Sequence, residues 1–86
     1  MTDSFERAAE EVMVLKNRPD YGDIAEIYGL YKQATIGEVN IERPGLFDFK
    51  GRKKWDAWND KKGMSKDVAM AQYVDYVEKM KVKYGI

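Results

Sequence analysis

The chain has 86 residues, with 15 Lys and Arg balancing 15 Asp and Glu, and neither His nor Cys. That length bounds one small domain. The zero net charge argues against a general nucleic-acid binder, which carries a basic excess. The missing His and Cys exclude Ser–His and Cys–His catalysis, the usual zinc sites and a disulfide framework.

Apolar residues make up 44% and charged residues 35%, the balance of a soluble globular domain. No stretch approaches the ~20 apolar residues that a membrane span needs, so no stable insertion is expected. The start, MTDSFERAAEE, is polar and acidic, which is not the pattern of a secretory leader. With cysteine absent, a reducing, cytoplasmic setting is expected. Ser4 and Ser65 stand where helices should begin and read as caps. The carboxylates are scattered over solvent faces, and no enzymatic role is expected.

Four helices are predicted. The first runs from about Asp3 to Lys16, with Phe5, Ala8, Ala9, Val12 and Leu15 at helical spacing. Thr2, Asp3 and Ser4 are cap candidates, and Glu6 follows Asp3 by three as a capping box requires. NRPDYG then breaks the chain at Pro19. The second helix starts near Asp20 and ends at Gly37, read as the C′ glycine. Ile24, Ile27, Tyr28, Tyr31 and Ala34 form its inward arc, and Asp23, Glu26 and Gln33 lie away from it. GEVNIERPGLFDFKG follows as a long connection, with Pro44-Gly45 suited to a type II turn. Val39, Ile41, Leu46, Phe47 and Phe49 make it apolar enough to read as a packed crossover loop. The third helix spans about Arg52 to Lys62, with Trp55 and Trp58 facing the core and Gly63 as its end. Ser65 caps the fourth, which carries Met70, Tyr73, Val74, Val77, Met80 and Tyr84 as one stripe. Asp67 and the basic KMKVKYG end both suit its dipole. The fold class expected is an all-α four-helix bundle. Its long crossover loop between helices 2 and 3 lets those two run parallel.

YGLYKQATIG places Tyr28, Tyr31 and Lys32 on one helix face. Lys32 then borders the apolar arc. FKGRKKWDAW repeats the arrangement: Lys50 precedes Lys54 by four, and Lys54 precedes Trp58 by four. Two ammonium groups at the rims of aromatic surfaces would make one anion site over an apolar floor. Lysines and tyrosine hydroxyls suit a phosphate, an aromatic face suits a purine, and a dry groove suits an alkyl chain. Core tyrosines with wet tips and snorkelling lysines would produce the same spacing.

The run YGLYKQATIGEVNIERPGLFDFKGRKKWDAWN closely resembles the signature of the acyl-CoA-binding protein family, also called diazepam-binding inhibitor or endozepine. The match extends from FERAAEEV to the terminal KYGI as one acyl-CoA-binding domain over residues 1–86. The resemblance implies a four-helix bundle of up-down-down-up topology. It implies high-affinity binding of medium- and long-chain acyl-CoA thioesters and a role as intracellular carrier and pool former, without catalysis or a cofactor. Implied partners are the acyl-CoA esters, with acyl-CoA-using enzymes and membranes met transiently. A monomer is expected. By this resemblance Tyr28, Lys32 and Lys54 hold the ribose 3′-phosphate, and Tyr31 and Tyr73 contact the head group. Lys50 adds charge near the phosphates. Ala9, Ile24, Ala25 and Ile27 stand beside the acyl chain or adenine.

Two departures bear on the ligand. Met13 stands where relatives often carry a basic residue; it can pack on adenine or pantetheine but cannot pair with a phosphate. Ile24-Ala25 replaces a bulkier Met-Leu pair and could leave space near the chain. Gly29 sits inside a helix at a cost of ~0.5–1 kcal/mol, and could let a ligand approach the backbone. The alternative reading is a protein-interaction module whose apolar groove takes a partner helix or peptide. A nucleic-acid binder using KGRKK is a third, opposed by acidic residues on all four helices.

Overall fold

A computed structural model describes residues 2–86 of the chain. It holds α1 (Thr2–Val12), α2 (Tyr21–Thr35), α3 (Phe49–Asn59) and α4 (Lys66–Tyr84). The pairings fix the topology. Phe5 meets Tyr73 and Glu11 meets Lys81, so α1 and α4 run parallel. Gln33 bonds to Met64 and Asp23 to Tyr76, so α2 opposes α4. Tyr21 meets Lys53, Tyr28 meets Lys54 and Lys32 meets Trp58, so α3 runs with α2. The order is up-down-down-up.

The helices α1 and α2 both pack on α4, whereas α3 packs on α2. The domain is consequently flat, with extents of 36 × 27 × 15 Å. Phe5, Ala8, Leu30, Ala34, Ala69, Tyr73 and Val77 form the core where α1, α2 and α4 meet. Trp58 carries α3 into α2, and its indole N–H donates to the Gly37 carbonyl at 2.7 Å. Gly29 is buried in the same seam. A Cβ there would overlap the Ala57 carbonyl, so the glycine serves close approach of α3 and not ligand access.

Caps set most helix ends. Asp20 accepts from the Asp23 N–H at 2.9 Å, and Ser65 accepts from the Val68 N–H at 3.2 Å. Gly37 adopts φ +102° after the Ile36 C-cap, a conformation that glycine takes without strain. Other ends depart from expectation. The helix α1 already includes Thr2, so Asp3 lies in its first turn and Ser4 is an exposed helical residue, not a cap. It also stops at Val12, before Lys16. The Met13 and Val14 N–H groups fall back on Glu10 and Glu11 carbonyls, a tightened last turn. Lys16 and Asn17 then leave to donate to the Gly85 and Tyr84 carbonyls, satisfying the end of α4.

The helix α3 begins at Phe49, not Arg52, because Asp48 caps it through the Gly51 N–H at 3.0 Å. It ends at Asn59, and a turn carries the chain through Gly63, at φ +91°. Pro44-Gly45 is not a type II turn, since Gly45 has no positive φ; the turn falls at residues 45–48, closed from the Asp48 N–H to the Gly45 carbonyl at 3.0 Å. Nor are most of the crossover's apolar side chains packed: Val39 is half-buried, but Ile41, Leu46, Phe47 and Phe49 are exposed. The backbone is instead tethered. The Trp55 indole N–H donates to the Ile41 carbonyl at 2.8 Å, and Arg43 holds Asp56 with two hydrogen bonds.

The inward face of α2 is also rotated from the expected arc. Its buried residues are Gly29, Leu30, Gln33 and Ala34. Gln33 is 1% exposed; its amide donates to Met64 and Glu38, which ties α2 to the start of α4. Asp23 also turns inward, onto α4. Of the expected arc, only Ala34 is fully covered: Ile24 and Tyr31 are exposed and Ile27 and Tyr28 half-buried. That open flank of α2 lines two depressions.

Candidate functional site

Two depressions flank the ridge that Ile24 and Tyr28 make along α2, and both residues line both. The first, about 330 Å³, lies between α1 and α2 and is lined by Ala9, Val12, Met13, Ile27, Tyr31 and Tyr73 besides the ridge. Its floor is aromatic. Phe5, Tyr31 and Tyr73 meet at centroid distances of 5.0–5.9 Å. Burial, with the nearby Tyr31, pushes the Tyr73 phenol up to about 12, so it stays neutral. Met13 stands exposed at the rim.

The second depression, about 270 Å³, lies between α2 and α3. Tyr21, Ala25 and Ala57 supply apolar wall, while Arg18, Lys50, Lys53 and Lys54 supply cations. Among the described residues no carboxylate lines it. Lysine ammonium groups cross the α2–α3 seam in both directions. Lys54 lies 5.9 Å from the Tyr28 ring centroid, and Lys32 lies 4.9 Å from that of Trp58. Tyr28 precedes Lys32, and Lys54 precedes Trp58, by one helical turn of about 5.4 Å, so the two contacts follow each other along the seam.

The cations of this region are left open by charge pairing. Among the described residues the salt bridges engage Arg43, Lys61, Lys81 and Lys83. Arg18, Lys32, Lys50, Lys53 and Lys54 take part in none. The carboxylates are held elsewhere. Asp23 accepts from Tyr76 at 2.6 Å, from Tyr84 and from Lys83; these bonds, that from Tyr76 first, bring its carboxyl down to about 2. Glu26 is taken by Lys61 at 2.5 Å. A neutral chain thus presents a local excess of positive charge around an apolar cleft. That combination suits an amphipathic anion: phosphates at the mouth, hydrocarbon or a flat ring below. No group of carboxylates placed to hold a metal ion occurs among the described residues.

Of the residues singled out in the sequence, Tyr28, Lys50, Lys54, Ile24 and Ala25 gather at the second depression, and Tyr31, Tyr73, Ala9, Met13 and Ile27 at the first. Lys32 lines neither and rests on Trp58. Gly29 lies behind the wall. Arg18, Tyr21, Lys53 and Ala57 were not legible as site residues. Arg18 sits in a helix-breaking linker, and only the fold brings it beside α3.

The family model for acyl CoA binding protein matches residues 2–77. Solved structures agree. The crystal structure of acyl-CoA-binding protein 2 from Oryza sativa is 43% identical, with a TM-score of 0.91 over 95% of this chain and 91% of that one. The crystal structure of the protein from Moniliophthora perniciosa is 39% identical, with a TM-score of 0.91 over 100% of this chain and 85% of that one. The solution structure of the acyl coenzyme A binding protein from yeast is 38% identical, with a TM-score of 0.78 over the whole of both chains.

Proposed function

The chain belongs to the acyl-CoA-binding protein family, and from that premise we propose that it binds medium- and long-chain acyl-CoA thioesters and acts as their non-enzymatic carrier and pool former inside the cell. The observation that carries this reading is the set of cations free of carboxylate partners around a cleft whose wall is apolar. Lys54 and Tyr28, with Lys32 swinging off Trp58, would hold the 3′-phosphate. Lys50, Lys53 and Arg18 would take the remaining phosphates. The Tyr31–Tyr73 floor suits the adenine, and the Ile24, Ala25 and Ala57 wall suits the chain. Burial of the chain would keep a detergent-like ester in solution until an enzyme or membrane receives it. A groove for a partner helix would have no need of these cations, which makes the peptide-binding alternative the weaker one.

Two measurements test the proposal. A mass spectrum of the purified protein under gentle conditions should show a co-purifying thioester, whose mass gives the chain length. Titration with a series of acyl lengths should tighten binding roughly fourfold per added methylene, from ~0.8 kcal/mol each, until the cleft is filled. Affinity that stays flat from short to long chains would contradict it.

A further inference from the structure

The turn before α3 exposes apolar surface that the ligand site does not use. Leu46 and Phe47 are the central residues of the turn closed at Asp48, and they are 66% and 86% exposed. Phe49, the first residue of α3, is 68% exposed. Neither depression is lined by any of the three. Exposure of three large apolar side chains within four residues is unfavourable in water unless something covers them.

The charge around them says what. Lys50, Arg52, Lys53 and Lys54 follow the turn directly, against Glu42 before it and Asp48 at its end, while Arg43 is paired with Asp56; the whole chain is balanced. Asp48 is committed to capping α3. Lys50, Arg52, Lys53 and Lys54 form no salt bridge among the described residues. A second copy of the chain would set two basic tips against each other, which like charges oppose. A protruding turn with apolar tips and a basic collar matches the chemistry of an anionic lipid surface.

We infer that the turn at residues 45–49 is a membrane-docking tip. Leu46, Phe47 and Phe49 enter the boundary between headgroups and acyl chains of an anionic phospholipid bilayer, and Lys50, Arg52 and Lys53 meet the lipid phosphates. Lys50 and Lys53 also line the α2–α3 cleft, so docking sets the mouth of that cleft at the bilayer. This orientation as a route for cargo rests on the acyl-CoA reading; the docking itself does not.

The test is flotation of the full chain, free of ligand, with vesicles of phosphatidylcholine alone and of phosphatidylcholine with phosphatidylserine. Binding should favour the anionic vesicles and weaken as salt rises from about 0.01 to about 1 M, since screening shortens the Debye length from ~30 to ~3 Å. The double variant Leu46→Ser with Phe47→Ser should lower partitioning at least tenfold, on the order of two lost apolar anchors. Arg52→Gln should lower it about fivefold. Both side chains of the double variant point to solvent, so its melting temperature and its affinity for soluble acyl-CoA should match the parent. Absence of vesicle binding, equal binding to both lipids, or binding unaffected by the double variant overturns the docking tip. Vesicle binding by a protein that does not take acyl-CoA would leave the tip standing and remove the thioester reading instead.

Discussion

The α2–α4 seam and the α2–α3 cleft use the same residue types to opposite ends. In the seam, the hydroxyls of Tyr76 and Tyr84 and the ammonium of Lys83 all converge on Asp23. In the cleft, Tyr28 and Tyr21 face Lys54 and Lys53 through their rings, and among the described residues no carboxylate lines it. The difference lies in what surrounds the cation: carboxylates at Lys83, and at Lys53 and Lys54 an apolar wall with no salt bridge among the described residues. A paired lysine helps hold the domain together, and an unpaired one beside an apolar wall is available to a ligand.

Breaking the cleft's side of the contrast should give the largest effect. Lys54→Ala should weaken acyl-CoA binding about tenfold to a hundredfold, the worth of a hydrogen bond to a charged group at ~1.5–3 kcal/mol. Its melting temperature should fall little, because Lys54 forms no salt bridge among the described residues and its contact with the Tyr28 ring is long, at 5.9 Å. Calorimetry and a melting curve on one sample check both halves. Next in size, Gly29→Ala should destabilise by about 1–3 kcal/mol despite the better helix propensity of alanine, because the Ala57 backbone cannot yield to the new Cβ. Chemical denaturation reads this directly.

The seam's side is sharpened by pH. Asp23 has its carboxyl lowered to about 2 from an ordinary value near 3.8. A depressed carboxylate contributes stability that is present above its unfolded value and is lost as pH falls through the folded one. Stability should therefore hold at neutral pH and decline from about pH 4 towards pH 2. Asp23→Asn should be less stable than the parent at pH 7 and should lose part of that acid slope, with little change in ligand affinity. The smallest effect belongs to Arg43→Ala. Its pair with Asp56 is exposed and screened, so a denaturation curve of the variant should overlay that of the parent within error, however good the geometry.

Much of this was legible in the sequence, and the misses have physical causes. Four helices, the Ser65 cap, the Gly37 stop and the core stripe of α4 follow from period and capping chemistry alone. The motif resemblance added the topology. What periodicity could not give was how much of an apolar arc is covered. In α2, Ile24 and Tyr31 carry the helical period but face open space, because α1 and α3 stand on either side without closing over them. Gln33 reads as a surface residue from its polarity, yet it is buried because Glu38 and the Met64 carbonyl accept from its amide. The crossover's apolar residues suggested packing, whereas the loop is tied to α3 by the Trp55 indole donating to Ile41 and by its own Arg43 guanidinium donating to Asp56. Arg18 and Lys53 resemble any surface cation until the fold sets them around the same opening.

The most direct measurement is a calorimetric cycle with two proteins and two ligands: the parent and Lys54→Ala, each titrated with a long-chain acyl-CoA and with its 3′-dephospho form. Removing the phosphate should cost the parent at least tenfold in affinity and cost the variant little, because the ammonium that recognises it is already gone. Equal losses in both proteins would place the phosphate away from Lys54 and contradict the assignment of the cleft mouth as its binding site.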